Sequence, residues 1–300
     1  MPVEAPVSPK SFGSEWPTWC PGCGDFGVLR ALQNAASQLG LRPEQIAVIS
    51  GIGCSGKINS YFNSYGLHTL HGRSLPVAQG VKLANPQLTV IAAGGDGDGY
   101  GIGAGHFMHA VRRNVDITYI VMDNQVYGLT KGQTSPTSPH GFQSTTTPNG
   151  SADNPVHPLR VALANGCTWI GQGFSGDPKQ LVGLLVKAIS HRGFSLLNVF
   201  SPCVTYRPTI LEDGAKVGVY EWFKKHLHSL DADEGYDHHD RGAAFNKLLA
   251  SDDLLTGVIY EDLALQAYDT FLPGYTSKPL AELAGYLDEE TFAATAAQFQ

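Results

Sequence analysis

The sequence predicts an α/β protein with a mainly parallel sheet flanked by helices. Three observations predict it. From residue 25 to residue 200, short apolar runs alternate with segments of helical periodicity, and no repeat period is visible. The runs Ile46–Ser50, Leu88–Ala93 and Ile117–Met122 are short, apolar and rich in β-preferring residues, the pattern of buried strands. Glycine turns follow the first two runs, and in parallel sheets ligands bind at the carboxyl ends of the strands.

In chain order, residues 1–18 read as an irregular arm broken by Pro2, Pro6, Pro9 and Pro17, with Trp16 and Trp19 expected to pin it to the body. Asp25–Leu39 carries Phe26, Val28, Leu29, Leu32 and Ala35 at helical spacing and stops at Gly40, a residue suited to a helix C-terminus. Strand Ile46–Ser50 runs into the turn Gly51–Lys57. His68–Gly72 reads as a loop and Leu75–Ala84 as a helix. Strand Leu88–Ala93 enters Gly94–Gly103, and Ile102–Arg113 is the expected helix after it. Strand Ile117–Met122 delivers Asp123–Gly128. Thr130–Ser151, rich in Thr, Ser, Pro and Gly, is a long loop, and such loops in compact domains are usually functional. Pro158–Asn165 reads as a short helix, Thr168–Ile170 as a strand, Pro178–His191 as a helix and Ser195–Phe200 as the last strand. Beyond residue 204 the texture changes. A charged amphipathic helix is expected at Glu221–Leu230, and Asp231–Asp240, with His238 and His239, reads as a solvated loop.

The totals exclude several classes. The 300 residues can bury a large core. A net charge of −7 implies no broad basic surface for nucleic acid. The first ten residues lack the apolar stretch of a secretory signal, and no apolar run approaches bilayer length, so a cytoplasmic protein is expected. Charged residues make up only 16%, which suits a chain with much of its surface covered by a partner. Five cysteines in a chain of this size are not a disulfide framework, and clustered cysteines then point to metal or redox work.

Two constellations carry chemistry. In the first, a strand, a glycine turn and a helix N-terminus form an anion site. The turn also holds Asp96 and Asp98, which would repel a bare phosphate. A hard cation between carboxylate and phosphate resolves the conflict, and Mg²⁺ is the usual choice. Between Gly97 and Asn124 lie 26 residues, enough for a helix and the next strand, so the two turns emerge side by side. Asp96, the side-chain oxygen of Asn124 and the carbonyl of Val126 are then the expected Mg²⁺ ligands. Asp98 is expected to shape the turn or to hydrogen-bond near the diphosphate. No GxGxxG follows the first strand, and no GxxxxGK[ST] occurs, so dinucleotide and P-loop readings fail. In the second constellation, Cys20 and Cys23 form a CxxC, Cys54 follows 31 residues later, and Cys203 lies a further 149 on. Cys₄ sites hold Zn²⁺ or an iron–sulfur cluster. One close pair with two distant single cysteines beside a redox-capable site favours [4Fe–4S]. Cys167, in an apolar stretch, reads as a buried structural thiol.

The segments WCPGCGDFG, GIGCSGK, LHGRSLPVAQGVKLANP, GDGDGYGIG and MDNQVYGLTKGQTSPTS together resemble the β subunit of the 2-oxoacid:ferredoxin oxidoreductases, most of all the 2-oxoglutarate type. The motifs run from Cys20 to Cys203. The resemblance implies a thiamine diphosphate-binding fold over residues 1–203 and a C-terminal extension, 204–300, packing on the core or on a partner. It implies thiamine diphosphate, Mg²⁺ and one [4Fe–4S] cluster on Cys20, Cys23, Cys54 and Cys203. The cofactor-binding set is then Ile52, Gly53, Cys54, Ser55, His71, Gly95, Asp96, Gly97, Asp98, Asn124, Val126, Tyr127, Gly128, Leu129 and Thr130. His71 and Arg73 are the candidate catalytic contacts, with Lys57 and Lys131 as further cations for a substrate with two carboxylates. The implied reaction is CoA-dependent oxidative decarboxylation of a 2-oxo acid with electrons passed to ferredoxin, or its reverse. The glutamate that activates the aminopyrimidine would come from a separate α subunit. Pyruvate, branched-chain or aryl 2-oxo acids remain alternative substrates. A non-redox thiamine decarboxylase or carboligase and a zinc-stabilised binding protein remain alternative classes.

Overall fold

A computed structural model describes residues 7–272, 277–283 and 289–297. Its strands are β1 (Ile46–Ser50), β2 (Tyr65–His68), β3 (Thr89–Gly95), β4 (Ile117–Asp123), β5 (Trp169–Phe174), β6 (Phe194–Phe200), β7 (Thr209–Glu212), β8 (Ala215–Gly218), β9 (His228–Ser229) and β10 (Leu255–Glu261). Eight of them form a central sheet in the order β2-β1-β3-β4-β6-β5-β10-β9. The other two, β7 and β8, pair as a separate hairpin. All neighbours in the central sheet run parallel except β10 on β5.

Side chains alternate across the sheet because successive Cβ atoms of a strand point to opposite faces. Ile46, Val48, Ile91, Ala93, Ile120 and Met122 enter one core, against α1 (Asp25–Gln38), the single turn α2 (Ile58–Tyr61) and a later helix at Pro178–Ser190. Ala47, Ile49, Val90, Ala92, Tyr119 and Val121 enter the other, against α3 (Ser74–Ala84), α4 (Ala104–Arg113), α5 (Pro158–Ala164) and a later helix at Arg241–Ala250. Both faces are thus covered, which is why the strand sequences are nearly all apolar. The two later helices are α6 (Pro178–Ser190) and α8 (Arg241–Ala250), and between them α7 (Val219–His226) packs on Phe174 and Phe200 in a third, smaller cluster.

The structure departs from the sequence expectations in five places. Ser195–Phe200 is not the last strand, because β10 joins the sheet beyond β5 and brings the two-residue β9 with it. Strand β5 extends to Phe174 through Gly171 and Gly173, whose missing side chains hid it. A Cβ on Gly171 would lie 2.4 Å from the Trp169 ring. The stretch before the expected loop at His68 pairs with β1 as the edge strand β2. The helix expected from Ile102 begins at Ala104, after a π-type turn over Gly97–Ile102. The helix expected at Glu221–Leu230 is α7, which ends at His226.

The arm is also held differently. Trp19 is buried, and its Nε1 donates to the Cys54 carbonyl at 2.7 Å, but Trp16 is 86% exposed. The anchor in its place is Phe12, fully buried and stacked on Phe62 at 5.2 Å between ring centroids. Phe12→Ala is therefore expected to cost about 3–5 kcal/mol in urea unfolding. Trp16→Ala is expected to cost less than about 0.5 kcal/mol in the same measurement.

Candidate active site

Because β1, β3, β4 and β6 are parallel and in register, their carboxyl ends lie along one edge. Ser50 pairs with Ala93, Gly95 with Met122 and Asp123 with Phe200. The turns after β1, β3 and β4 consequently surround one space. Glycine is required where they meet. A Cβ on Gly97 would lie 2.1 Å from the Tyr127 ring, and one on Gly51 1.9 Å from the Asp98 carboxylate. The Tyr127 hydroxyl in turn donates to the Gly97 carbonyl at 3.1 Å.

Asp98 is 2% exposed and joins three segments. Its Oδ1 accepts from Ile52 N–H at 2.9 Å, from Gly72 N–H at 2.8 Å and from His71 Nδ1 at 2.7 Å. The His71 ring then stands edge-on to Tyr127, with centroids 6.2 Å apart. Asp98 therefore shapes the site as a clamp, one of the two roles expected for it.

Asp96 is 1% exposed, and burial pushes its carboxyl above the ordinary range. Its Oδ2 accepts from the Thr137 hydroxyl at 2.7 Å, and the same hydroxyl oxygen is 2.9 Å from Asp123 Oδ1. One hydroxyl proton cannot serve both carboxylates. Burial, and then the charge of Asp96, raise Asp123 to about 7, so this facing pair holds a proton more readily than free carboxylates do. Across the turn, Asn124 Oδ1 accepts from Val126 N–H at 3.0 Å and keeps a second lone pair. This tight turn places Gln125 at φ +59°.

These groups line a cavity of about 100 Å³, walled by Ile52, Gly53, Cys54, Ser55, His71, Gly95, Asp96, Gly97, Asp98, Asn124, Val126, Tyr127, Gly128, Leu129 and Thr130. Lys57, Arg73 and Lys131 are not in that wall. The Arg73 guanidinium turns back to the carbonyls of His71 and Gly72, each at 3.3 Å, and Lys57 Nζ donates to Thr18 Oγ1 at 3.3 Å.

Motif cysteines approach the same edge. A Cβ on Gly128 would sit 3.4 Å from Cys54 Sγ and 3.8 Å from Cys203 Sγ, so two thiols abut the cavity wall. Burial, with Asp25 and the neighbouring sulfurs, pushes the Cys23 thiol far up and the Cys54 thiol to about 11. Cys167 is apart from them, fully buried between strands, and burial raises it to about 12.

Sequence reasoning missed four residues here. Thr137 and Asp123 support Asp96. Asp25, fully buried and raised to about 6 mainly by burial, takes a hydrogen bond from Ser201 Oγ at 2.6 Å beside Cys23. Arg207, buried and lowered by burial to about 10, bonds Gln125 Oε1 at the inner side of the turn. Only Thr137 carried a signal, its place in a Ser/Thr-rich loop too long to be a plain connection.

The fold and this site define a thiamine diphosphate enzyme. Residues 51–199 match the family described as "Thiamine pyrophosphate enzyme, C-terminal TPP binding domain". Residues 203–277 match the family of the C-terminal part of the pyruvate ferredoxin oxidoreductase beta chain. The chain is 46% identical over 225 residues to the 2-oxoacid:ferredoxin oxidoreductase subunit beta of Saccharolobus solfataricus, covering 74% of this chain and 71% of the relative. It is 40% identical over 280 residues to 2-oxoacid:ferredoxin oxidoreductase 2, subunit beta, of Aeropyrum pernix, covering 89% and 88%. A solved structure of 2-oxoglutarate:ferredoxin oxidoreductase from Magnetococcus marinus with 2-oxoglutarate, coenzyme A and succinyl-CoA bound superposes with a TM-score of 0.83 at 38% identity, covering 97% of this chain and 96% of that one. The chain belongs to the β subunits of the 2-oxoacid:ferredoxin oxidoreductases.

The two aspartates are separable by experiment. Asp98→Asn breaks the three-way clamp and is expected to cost about 1–3 kcal/mol of stability before any cofactor is added. Asp96→Asn removes one of two facing buried carboxyl groups, so the unfolding midpoint without cofactor is expected to hold or rise, while Mg²⁺-dependent thiamine diphosphate binding is expected to be lost in calorimetric titration.

Proposed function

We propose that this chain, together with an α subunit, performs CoA-dependent oxidative decarboxylation of 2-oxoglutarate to succinyl-CoA and CO₂ with reduction of ferredoxin, or the reverse carboxylation. The observation that carries this reading is the shared wall: Cys54 and Gly128 line the cavity that holds Asp96 and Asn124, and Cys203 lies beside Gly128 as well. Cofactor chemistry and electron removal would then take place within a few residues of one another. The substrate follows the Magnetococcus marinus enzyme, whose structure contains 2-oxoglutarate.

The donor sets fit the implied groups. Asp96 is a buried carboxyl with no ion-pair partner among the described residues, and with Asn124 Oδ1 and the Val126 carbonyl it would hold Mg²⁺ and, through it, a diphosphate. Burial and then neighbouring anionic groups, sulfurs among them, raise the Cys23 and Cys54 thiols, so iron that takes them as thiolates would relieve that repulsion. Ligand atoms of a Cys₄ zinc site would be about 3.8 Å apart, given bonds of about 2.3 Å. Among the described residues, the group of three or more Cys, His, Asp or Glu ligand atoms within 4.8 Å of one another contains no cysteine, which favours the wider iron–sulfur cubane. Thiamine diphosphate, when bound, supplies the electron sink for loss of CO₂ from a 2-oxo acid. The chain's part is to orient it: His71 is held at Nδ1 by Asp98 in the cavity wall, and the Tyr127 ring flanks it. The carboxylates in the wall are Asp96 and Asp98, both engaged, so the glutamate facing the aminopyrimidine would come from the α subunit. Strand β2 offers a surface for that subunit. It is a sheet edge, with Tyr65 60%, Leu67 48% and neighbouring Leu70 77% exposed.

The test is anaerobic co-expression with the α subunit and a CoA-dependent assay of viologen reduction on several 2-oxo acids. The expected result is the highest kcat/KM with 2-oxoglutarate and about four irons per chain, lost in Cys54→Ser. Release of CO₂ with no viologen reduction and no iron would instead establish a non-redox thiamine enzyme. In the assembled enzyme Arg73→Met tests whether that guanidinium leaves the His71 and Gly72 carbonyls for the substrate: a contact to the distal carboxylate would show as a KM for 2-oxoglutarate raised by about tenfold, whereas its place outside the cavity wall predicts an unchanged KM. An unchanged KM clears Arg73 of that role.

A further inference from the structure

We propose that His238, His239 and Glu261 form a site for one divalent transition-metal ion of the zinc class, separate from the cofactor cavity and the motif cysteines. One nitrogen of each imidazole and one oxygen of the carboxylate lie within 4.8 Å of one another. The backbone fixes that grouping. Glu261 N–H donates to the His238 carbonyl at 2.9 Å, and His239 Nδ1 donates to the Glu261 carbonyl at 2.8 Å. The loop is thereby registered against the end of β10. His238 Nε2 stands 3.7 Å from Glu261 Oε2, too far for a hydrogen bond.

A second observation points to a cation. The His191 side chain, at the end of α6, is 3% exposed, and its Nδ1 has no hydrogen-bond partner. That nitrogen faces Glu261 Oε1 at 3.8 Å. Its protonation follows from the other side of the ring. The Thr168 hydroxyl has one proton and two carbonyl-type acceptors, Asn114 Oδ1 at 2.7 Å and Phe194 O at 3.1 Å. His191 Nε2, 2.9 Å from that hydroxyl, is therefore the donor to it, and Nδ1 carries a lone pair. A buried lone pair thus faces a carboxylate oxygen with no proton between them. A cation bound at Glu261 would draw charge from that carboxylate and lessen the repulsion.

The donor types select the metal. Imidazole with carboxylate suits zinc and its neighbours in the first transition row, whereas Mg²⁺ and Ca²⁺ take oxygen ligands. Ligand atoms on one zinc are about 3.3 Å apart, from bonds of about 2.0–2.1 Å. The 3.7 Å between His238 and Glu261 needs to close by about 0.4 Å, and no pair in the group, all within 4.8 Å, by more than about 1.5 Å. The His238 side chain is 39% exposed, so an ion can enter from solution. Once bound, it would tie the loop before α8, the end of β10 and the end of α6 at one point.

The test uses the assembled enzyme, kept anaerobic in Mg²⁺ buffer, loaded with ZnCl₂ and desalted before metal analysis. Wild type is expected to retain one zinc per chain more than the double variant His238→Ala/His239→Ala, and to show a zinc-dependent rise in melting temperature that the variant lacks. His191→Phe is expected to weaken zinc binding by about tenfold. Melting of the double variant without zinc checks that it is folded, and its 2-oxo acid activity is expected to match wild type. Equal zinc retention by wild type and the folded double variant overturns the site, as does displacement of the extra zinc by millimolar Mg²⁺.

Discussion

The Asp98 carboxylate is the constraint on which the site depends. Three donors from two separate segments meet one oxygen, and none of them belongs to the turn that carries Asp98. The parallel sheet brings the turns to one edge, but it does not fix how far each one leans over the space between them. Asp98 does that, and it can do so only because Gly51 lacks a side chain where the carboxylate sits. Charge-assisted hydrogen bonds to a buried anion are short and directional, which suits a clamp better than apolar contact would.

Behind the clamp, a second set of buried polar groups surrounds Asp96. Thr137 reaches in from the long loop and stands between Asp96 and Asp123, and Asn198 on β6 bonds the Tyr100 hydroxyl at 2.9 Å and Gln172 at 2.9 Å. Two carboxylates this close cannot both hold a full charge in a dry interior. The arrangement links the strand ends, the long loop and the C-terminal part through Arg207. The loop thus serves as a support for the Asp96 carboxylate.

Much of this was legible in the sequence where local chemistry dictates local structure. The strands β1, β3 and β4 were visible because both their faces are buried, and the glycine turns because only glycine tolerates such close approach. The grouping of Asp96 with Asn124 followed from spacing alone. What escaped reading depends on contacts distant in sequence. Strand β5 was read only as far as Ile170, because the rest is interrupted by glycines whose space is filled by Trp169 and Leu181. Strand β10 lies in a stretch whose apolar residues gain meaning only once β5 is beside it. Asp123 and Thr137 looked ordinary because their roles exist only relative to each other. Phe12, and not Trp16, anchors the arm because Phe62 happens to lie under it.

The position of β10 has a consequence for how the chain is made. The strands from β1 to β6 are complete by Phe200, but the neighbour of β5 arrives only at Leu255. During synthesis the nascent sheet therefore presents β5 as an open edge while more than fifty further residues are added. Such an edge invites pairing with other chains, and elongation at about 5–20 residues per second leaves it open for several seconds. The glycines of β5 weaken that edge as a template. The glycines that hid the second half of the strand from sequence reading thus also make it a poorer template for mispairing until its partner emerges.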